Sequence, residues 1–269
     1  MRSYQRCQWG FWSALLLLEV GCFSNESATS PAPVFATHVS EAQSDLEEVR
    51  SADVSILFVG NSHTSNYDLP GLISKMIRFR HPKKTVCTHV IGVGFLEEVA
   101  HDHRCKVELE SRPWKHLVLQ AQKESRSGRF KYSTTEGINV AKLGKANRAQ
   151  VTFFSEWGLK KVPTHGQRIE RIYDEMAKAS GADVAPVGRA WDLALATRPD
   201  LPLYSQDGNH QSAVGAFLTA AVLFGQLTGE SPTTLASLPY KAVGEADRKF
   251  LAEVASKALV QKAAELKKK

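Results

Sequence analysis

Five short apolar segments alternate with stretches of helical length along the middle of the chain, and this alternation constrains the fold more than any other feature. The apolar segments are 54–59, 86–91, 116–120, 151–154 and 184–187. Strands that alternate with helices predict βαβ units and a parallel sheet. We therefore expect one three-layer α/β sandwich with a five-stranded parallel sheet. Pro186 lies in the fifth segment, which suits an edge strand or a strand end.

The first 22 residues have the layout of an export signal. Two arginines precede an apolar core at 11–18, which is too short to cross a bilayer. Cys22 has two readings. It is either a lipidated N-terminus, which the small Gly21 favours, or an incidental residue near an ordinary cleavage site, which Glu19 favours. We expect an exported protein, either periplasmic and membrane-anchored through Cys22 or secreted.

The rest of the chain divides into three parts by composition. Residues 23–52 are rich in Ser, Ala, Thr, Pro and Glu without a hydrophobic period, so they are predicted to be a flexible linker. The α/β domain is expected over 53–230. Residues 231–269 form a C-terminal extension whose apolar residues recur on one face from residue 245, which predicts an amphipathic helix that packs on the domain.

Charge and cysteine content exclude several classes of protein. The chain has 34 basic and 28 acidic residues, and the excess is spread out rather than clustered as in nucleic-acid binders. Cys87 and Cys105 are expected either to form a disulfide after export or to remain two buried thiols. The spacing of His101, His103 and Cys105 is not a usual zinc pattern, and no phosphate-binding loop is present. We expect no metal and no cofactor.

Ser62 is the first candidate for chemistry. It follows the first strand in the run Gly60-Asn61-Ser62-His63-Thr64. Sites in open parallel sheets form beyond the carboxyl ends of the strands, so this hydroxyl is expected in such a site. Taken alone, the run fits a simple strand-to-helix turn with a polar cap better than it fits a site.

Asp207 and His210 are the second candidate pair. They lie three residues apart in Asp207-Gly208-Asn209-His210, just before a strongly apolar stretch of helical length. This spacing lets the carboxylate orient the imidazole, whose other nitrogen can then take a proton from a serine. Taken alone, the pair also fits helix capping.

The two candidates together resemble a known superfamily. The first block is 56–64 with Gly-Asn-Ser-His-Thr at its end, and the last is 203–212 with Asp-Gly-Asn-His inside it. Weaker blocks are 118–122 and 184–191. These sequence blocks, which place the candidates in the order Ser, Asp, His, resemble those of the SGNH hydrolases (GDSL-like lipases and esterases). The resemblance covers about 53–228 and implies their flavodoxin-like α/β/α fold.

The resemblance also implies a role for each candidate. Ser62 would be the nucleophile, His210 the general base and Asp207 the acid that orients it. The oxyanion hole of the family uses the backbone N–H of the nucleophile, here Ser62, and that of a glycine, here Gly94.

The third oxyanion donor of the family is a side-chain amide in the third block. This sequence departs from the family's Gly-x-Asn-Asp there and has Gln120-Ala121-Gln122. Gln120 is the first choice, and Gln122 remains open because strand alternation points both to the same side.

The resemblance implies a serine esterase without a cofactor, and the layout of the first 22 residues adds that it is exported. Its expected partner is a small-molecule or glycan ester, including acyl groups on carbohydrates, and no nucleic acid. Two alternatives remain open: an acyltransferase that uses the same triad, and a non-catalytic, surface-tethered carbohydrate-binding module.

Overall fold

The structure, a computed structural model, describes residues 34–162 and 164–268. The expected export signal and Cys22 lie outside these residues. A five-stranded parallel sheet forms the centre in the order β2-β1-β3-β4-β5, which confirms the predicted sheet and fold class. The strands are β1 (Val54–Gly60), β2 (Val86–Gly92), β3 (His116–Leu119), β4 (Gln150–Phe154) and β5 (Asp183–Ala185).

Helices cover both faces of the sheet. They are α1 (Val34–Ser51), α2 (Ser62–Ser65), α3 (Leu69–Arg80), α4 (His103–Ser111), α5 (Thr135–Ala146), α6 (His165–Ser180), α7 (Val187–Thr197), α8 (Ala213–Thr228) and α9 (Glu245–Leu266). Helices α3, α7, α8 and α9 pack on one face, and α4, α5 and α6 pack on the other. Among the described residues, no helix has the length and apolar content that a bilayer crossing needs.

The central strand β1 shows how the sequence builds both layers. Ile56 and Phe58 point into the core on the α3/α8 face, whereas Leu57 and Val59 point into the core on the α5/α6 face. All four are fully buried. Each such side chain contributes roughly 1.5–3 kcal/mol of transfer free energy. A strand buried on both faces reads as a continuous apolar run, which is why β1 is so clear in the sequence.

The fifth strand is shorter than the sequence predicts. It ends at Ala185, and α7 begins at Val187 with Pro186 as its N-cap residue. Proline has no N–H to give to a sheet, but it fits at a helix N-terminus, where the first N–H groups lack partners anyway. Helix α7 was therefore missed because its first turn was read as strand.

Part of the predicted flexible linker is helical. Helix α1 spans Val34–Ser51, and its last turn is packed on the domain. Val49 and Ala52 are buried, and Arg112 forms an ion pair with Asp45 at 3.6 Å. One apolar turn at the end of a polar segment is too short to show as a period, so composition alone predicted a linker.

The C-terminal helix α9 closes the domain. Leu251, Ala255 and Ala258 are fully buried in the core beside α8. Lys262 is also buried, and its Nζ donates to Glu170 of α6 at 2.9 Å. A buried ammonium needs such a partner, so this pair fixes α9 against α6.

Cys87 and Cys105 are not joined by a disulfide in the structure. Cys105 of α4 carries a free thiol in the core, and burial raises the pKa of this thiol to about 12. Of the two open readings, the structure shows the one without a disulfide.

Candidate active site

The candidate residues meet at the carboxyl edge of the sheet, where the strand order reverses. The chain leaves β1 toward β2 on one side, and β3 lies on the other side of β1. Ser62 follows β1, Gly94 follows β2 and Gln120 follows β3. A crevice forms at such a switch point because the connections on the two sides run away from each other.

Ser62 and His210 are in hydrogen-bonding contact. Ser62 Oγ lies 2.8 Å from His210 Nε2, although 148 residues separate them in sequence. Asn61 caps α2 by accepting from His63 N at 3.0 Å, which fixes the turn that carries the serine. A Cβ on Gly60 would lie 2.3 Å from Thr64 Oγ1, so only glycine fits before this turn.

Asp207 lies on the other side of the His210 ring. Its Oδ2 accepts from His210 Nδ1. Its Oδ1 accepts from the backbone N–H of Asn209 and of His210, each at 2.9 Å, and from Ser205 Oγ at 2.8 Å. The bond from His210, together with these donors, holds the pKa of Asp207 well below its usual range. An ionised Asp207 keeps the Nδ1–H tautomer, so Nε2 is free to accept the proton of Ser62.

The loop that carries His210 is anchored to the segment after β4. Trp157 Nε1 donates to the carbonyl oxygen of Asn209 at 2.8 Å. Ser212 caps α8 by accepting from the N–H groups of Val214 and Gly215. The His210 imidazole is therefore positioned by the segment after β4 and by the N-terminus of α8, which are distant from each other in sequence.

A cavity of about 390 Å³ opens beside Ser62 on the β2 side. Gly94 lines it together with Glu98, Asp102 and Arg104. The N–H of Gly94, an expected oxyanion donor, donates to Glu98 Oε2 at 2.8 Å. The N–H of Ser62 has no acceptor in the part of the chain that the structure describes.

Gln120 does not face this cavity. It is fully buried, and its Nε2 donates to Asn61 Oδ1 at 3.0 Å. Its Oε1 accepts from Asn61 N at 2.9 Å and from Thr64 Oγ1 at 2.7 Å. The side-chain amide that lines the cavity is that of Asn61, whose Nδ2 donates to Gly94 O at 3.2 Å. Gln120 therefore holds Asn61 in place.

Gln122 points away from the cavity as well. Its Nε2 donates to the carbonyl oxygens of Lys123 at 3.0 Å and Ser133 at 2.9 Å, so both amide hydrogens are used. The expectation that Gln120 and Gln122 share a side is wrong. Strand β3 ends at Leu119, and Ala121 has φ +80°, which breaks the alternation between them.

The structure adds a pair that the sequence did not single out. His63 Nδ1 lies 2.6 Å from Glu156 Oε2, and Glu156 Oε1 accepts from Tyr173 Oη at 2.9 Å. Burial raises the pKa of Glu156, but the bonds from His63, Gln120 and Tyr173 and the charge of His63 outweigh it, so this pKa lies below its usual value. The only signal in the sequence is an acidic residue two positions after a buried strand.

Comparisons with known proteins give structural neighbours only. No protein-family profile and no curated protein sequence matches the chain. A putative SGNH hydrolase from Slackia heliotrinireducens superposes with a TM-score of 0.51 at 22% identity, covering 64% of this chain and 97% of its own. A DUF4886 family protein from Bacteroides uniformis gives 0.53 at 14% identity, covering 77% and 95%.

An acetylxylan esterase from Geobacillus stearothermophilus, solved as a catalytic mutant, is a third neighbour. Its TM-score is 0.56 at 10% identity, and the match covers 66% of this chain and 96% of the esterase. Likeness at such identities concerns the fold. Together with the strand order, it shows that this chain has the fold of the SGNH hydrolases.

Proposed function

We propose that the chain is a serine esterase that hydrolyses carboxylic esters with Ser62, His210 and Asp207. The observation that carries the proposal is the contact of Ser62 Oγ with His210 Nε2 at 2.8 Å, with Asp207 on the opposite nitrogen. A nucleophile, a base and a group that orients the base are the parts that acyl transfer to serine requires.

The reaction has two steps. Ser62 Oγ attacks the acyl carbon while His210 Nε2 takes its proton, and His210 then gives this proton to the leaving alcohol. Water, activated by His210, attacks the acyl-serine and releases the acid, which restores Ser62. Asp207 stays ionised and stabilises the imidazolium in both steps.

The oxyanion is stabilised on the β2 side of the serine. The backbone N–H groups of Ser62 and Gly94 are two donors, and Gly94 becomes available when the exposed side chain of Glu98 moves away. The amide of Asn61 is the third donor, because it lines the same cavity and neither glutamine does. Each such donor lowers the barrier by about 3 kcal/mol.

The substrates are acyl groups on carbohydrates outside the cell. Three observations support this finer proposal: the export-signal layout of the first 22 residues, the open cavity beside Ser62 that charged side chains help to line, and the acetylxylan esterase among the neighbours of the same fold. A lipid on Cys22 would tether the enzyme to a membrane, and mass spectrometry of the native N-terminus tests this.

The proposal is tested by hydrolysis of short-chain aryl esters and acetylated sugars. The wild-type protein should cleave them, Ser62→Ala should not, and a fluorophosphonate should label the wild type at Ser62 alone. Transfer to added alcohols in preference to water would indicate an acyltransferase. A folded protein that binds glycans but neither cleaves esters nor reacts with the fluorophosphonate would be a binding module.

A further inference from the structure

A second imidazole lies beside the proposed base. The ring of His63 meets the ring of His210 edge to face, with centroids 5.3 Å apart. It also stacks on Trp157 at 4.7 Å. The proposed triad does not use His63, yet its position is fixed as firmly as that of His210.

His63 Nδ1 is hydrogen-bonded to the carboxylate of Glu156. The Glu156 carboxylate is buried and also accepts from Tyr173 Oη at 2.9 Å and from Ala121 N at 3.3 Å. Four donors, counting the Gln120 amide, keep it ionised, so His63 carries a hydrogen on Nδ1.

The other nitrogen of His63 remains available. Within the part of the chain that the structure describes, Nε2 has no hydrogen-bond partner, and it is not sealed from solvent. The side chain is 11% exposed, so a narrow part of the ring is open to solvent. A hydroxyl matches Nε2 in either protonation state, because a hydroxyl both donates and accepts.

The position of the ring identifies the part of the substrate that it meets. His210 returns its proton to the leaving alcohol, so this alcohol lies on the His210 side of Ser62. The cavity with Gly94 and Glu98 lies on the β2 side. A hydroxyl on the carbon next to the one that bears the ester oxygen lies roughly 3 Å from that oxygen. A hydrogen bond of about 2.8 Å from this hydroxyl can then reach the His63 ring, whose centroid is 5.3 Å from that of His210.

We propose that His63, held by Glu156, binds a hydroxyl of the leaving alcohol on the carbon next to the ester-bearing carbon, and so selects esters of polyols and sugars. The proposal rests on the esterase function and deepens it. Simple alkyl and aryl alcohols have no second hydroxyl that could bind His63 Nε2, so their esters are not favoured by this hydrogen bond.

Two matched substrates test this selection. Cyclohexyl acetate and trans-2-hydroxycyclohexyl acetate share the acyl group and the ring, and they differ by the one adjacent hydroxyl. We expect wild-type kcat/KM to favour the hydroxylated ester by about tenfold, the value of one hydrogen bond of about 1.4 kcal/mol. His63→Phe keeps an aromatic ring on Trp157 and should reduce the ratio to about one.

A second variant covers the case in which His63→Phe fails to fold. The double variant His63→Phe/Glu156→Gln removes the buried charge together with its partner and should show the same loss of the ratio. Glu98→Ala, on the opposite side of Ser62, is the control and should retain the wild-type ratio.

The outcomes separate the two proposals. A wild-type ratio near one, or an unchanged ratio in both His63 variants, would overturn the role of His63 while leaving the esterase intact. An inactive wild type on 4-nitrophenyl acetate would instead remove the esterase function, and the selection with it.

Discussion

The two sides of Ser62 are built differently. On the β2 side, Gly94 and Glu98 are exposed, and their hydrogen bond spans four residues of sequence. On the β4 side, Glu156 and Tyr173 are buried, and the bond from His63 to Glu156 spans 93 residues. The β2 side is an exposed segment in which the Gly94–Glu98 bond is local and Asn61 Nδ2 adds a longer-range bond to Gly94 O. The β4 side is a buried junction of several elements.

This difference corresponds to the two tasks of the proposed hydrolase site. Proton transfer needs groups held to within about 0.5 Å, which buried bonds between elements supply. The acyl group and the developing oxyanion need room, and an exposed loop with local bonds opens at little cost in free energy. We therefore expect changes at the buried β4 side to affect catalysis and folding together, and changes at the exposed Glu98 to affect catalysis with little effect on folding.

The largest effect is expected from Asp207→Asn on the β4 side. The amide nitrogen of asparagine can face His210 Nδ1 only if that nitrogen loses its hydrogen, which places the hydrogen on Nε2 and blocks proton transfer from Ser62. We expect kcat to fall by about 10³- to 10⁴-fold. Steady-state hydrolysis of 4-nitrophenyl acetate measures it, and activity within tenfold of wild type would contradict the role of Asp207.

A smaller loss is expected from Asn61→Ala on the β2 side. This change should lower kcat by about 10²- to 10³-fold with little change in KM, because Nδ2 acts on the oxyanion and Oδ1 caps the turn that carries Ser62. Gln122→Ala is the matched control, since its amide is bound to Lys123 and Ser133 and should leave kcat within about threefold. A larger loss in Gln122→Ala than in Asn61→Ala would reverse the assignment.

The sequence predicted what depends on local pattern. The buried runs gave the five strands, and Ser62, Asp207 and His210 were found through two short blocks. The orientation of Gln122 was not predictable, because it follows from the positive φ of Ala121 beyond the end of β3.

The pairing of His63 with Glu156 could not be predicted for a different reason. It joins two turns that meet only after β1 and β4 have taken their places in the sheet. No spacing within the chain encodes such a contact, so the sequence did not predict that His63 and Glu156 pair.

The free energy of unfolding should distinguish the β2 side from the β4 side of Ser62 more clearly than activity does. Glu156→Gln loses the charged acceptor of His63 and Tyr173, and we expect the free energy of unfolding at pH 7 to fall by about 2 kcal/mol. Glu98→Gln, on the exposed β2 side, should change it by less than about 0.5 kcal/mol. Urea denaturation of the two variants beside the wild type measures both.

The difference in free energy of unfolding between wild type and Glu156→Gln should depend on pH with a definite sign. The pKa of Glu156 is lower in the folded state than its usual value, so its contribution is complete above the unfolded pKa of about 4.3 and is lost as the pH falls through the folded pKa. The gap between wild type and Glu156→Gln should therefore narrow in urea titrations below about pH 4. A gap that widens on acidification would mean that the carboxyl is protonated in the folded protein.

The smallest effect is a gain, and it comes from Glu98→Ala on the β2 side. The Glu98 carboxylate accepts from Gly94 N–H at 2.8 Å, so it competes with the oxyanion for a donor. Removing an exposed bond of about 0.5–1 kcal/mol should raise kcat/KM by about threefold. Glu97→Ala is the control, because that carboxylate pairs with Lys123 at 2.9 Å outside the cavity. Kinetics at low and high salt measure the gain, which should shrink as salt screens the carboxylate. A loss of activity in Glu98→Ala would mean that Glu98 orders the Gly94 loop for catalysis, and the β2 side would then be as preorganised as the β4 side.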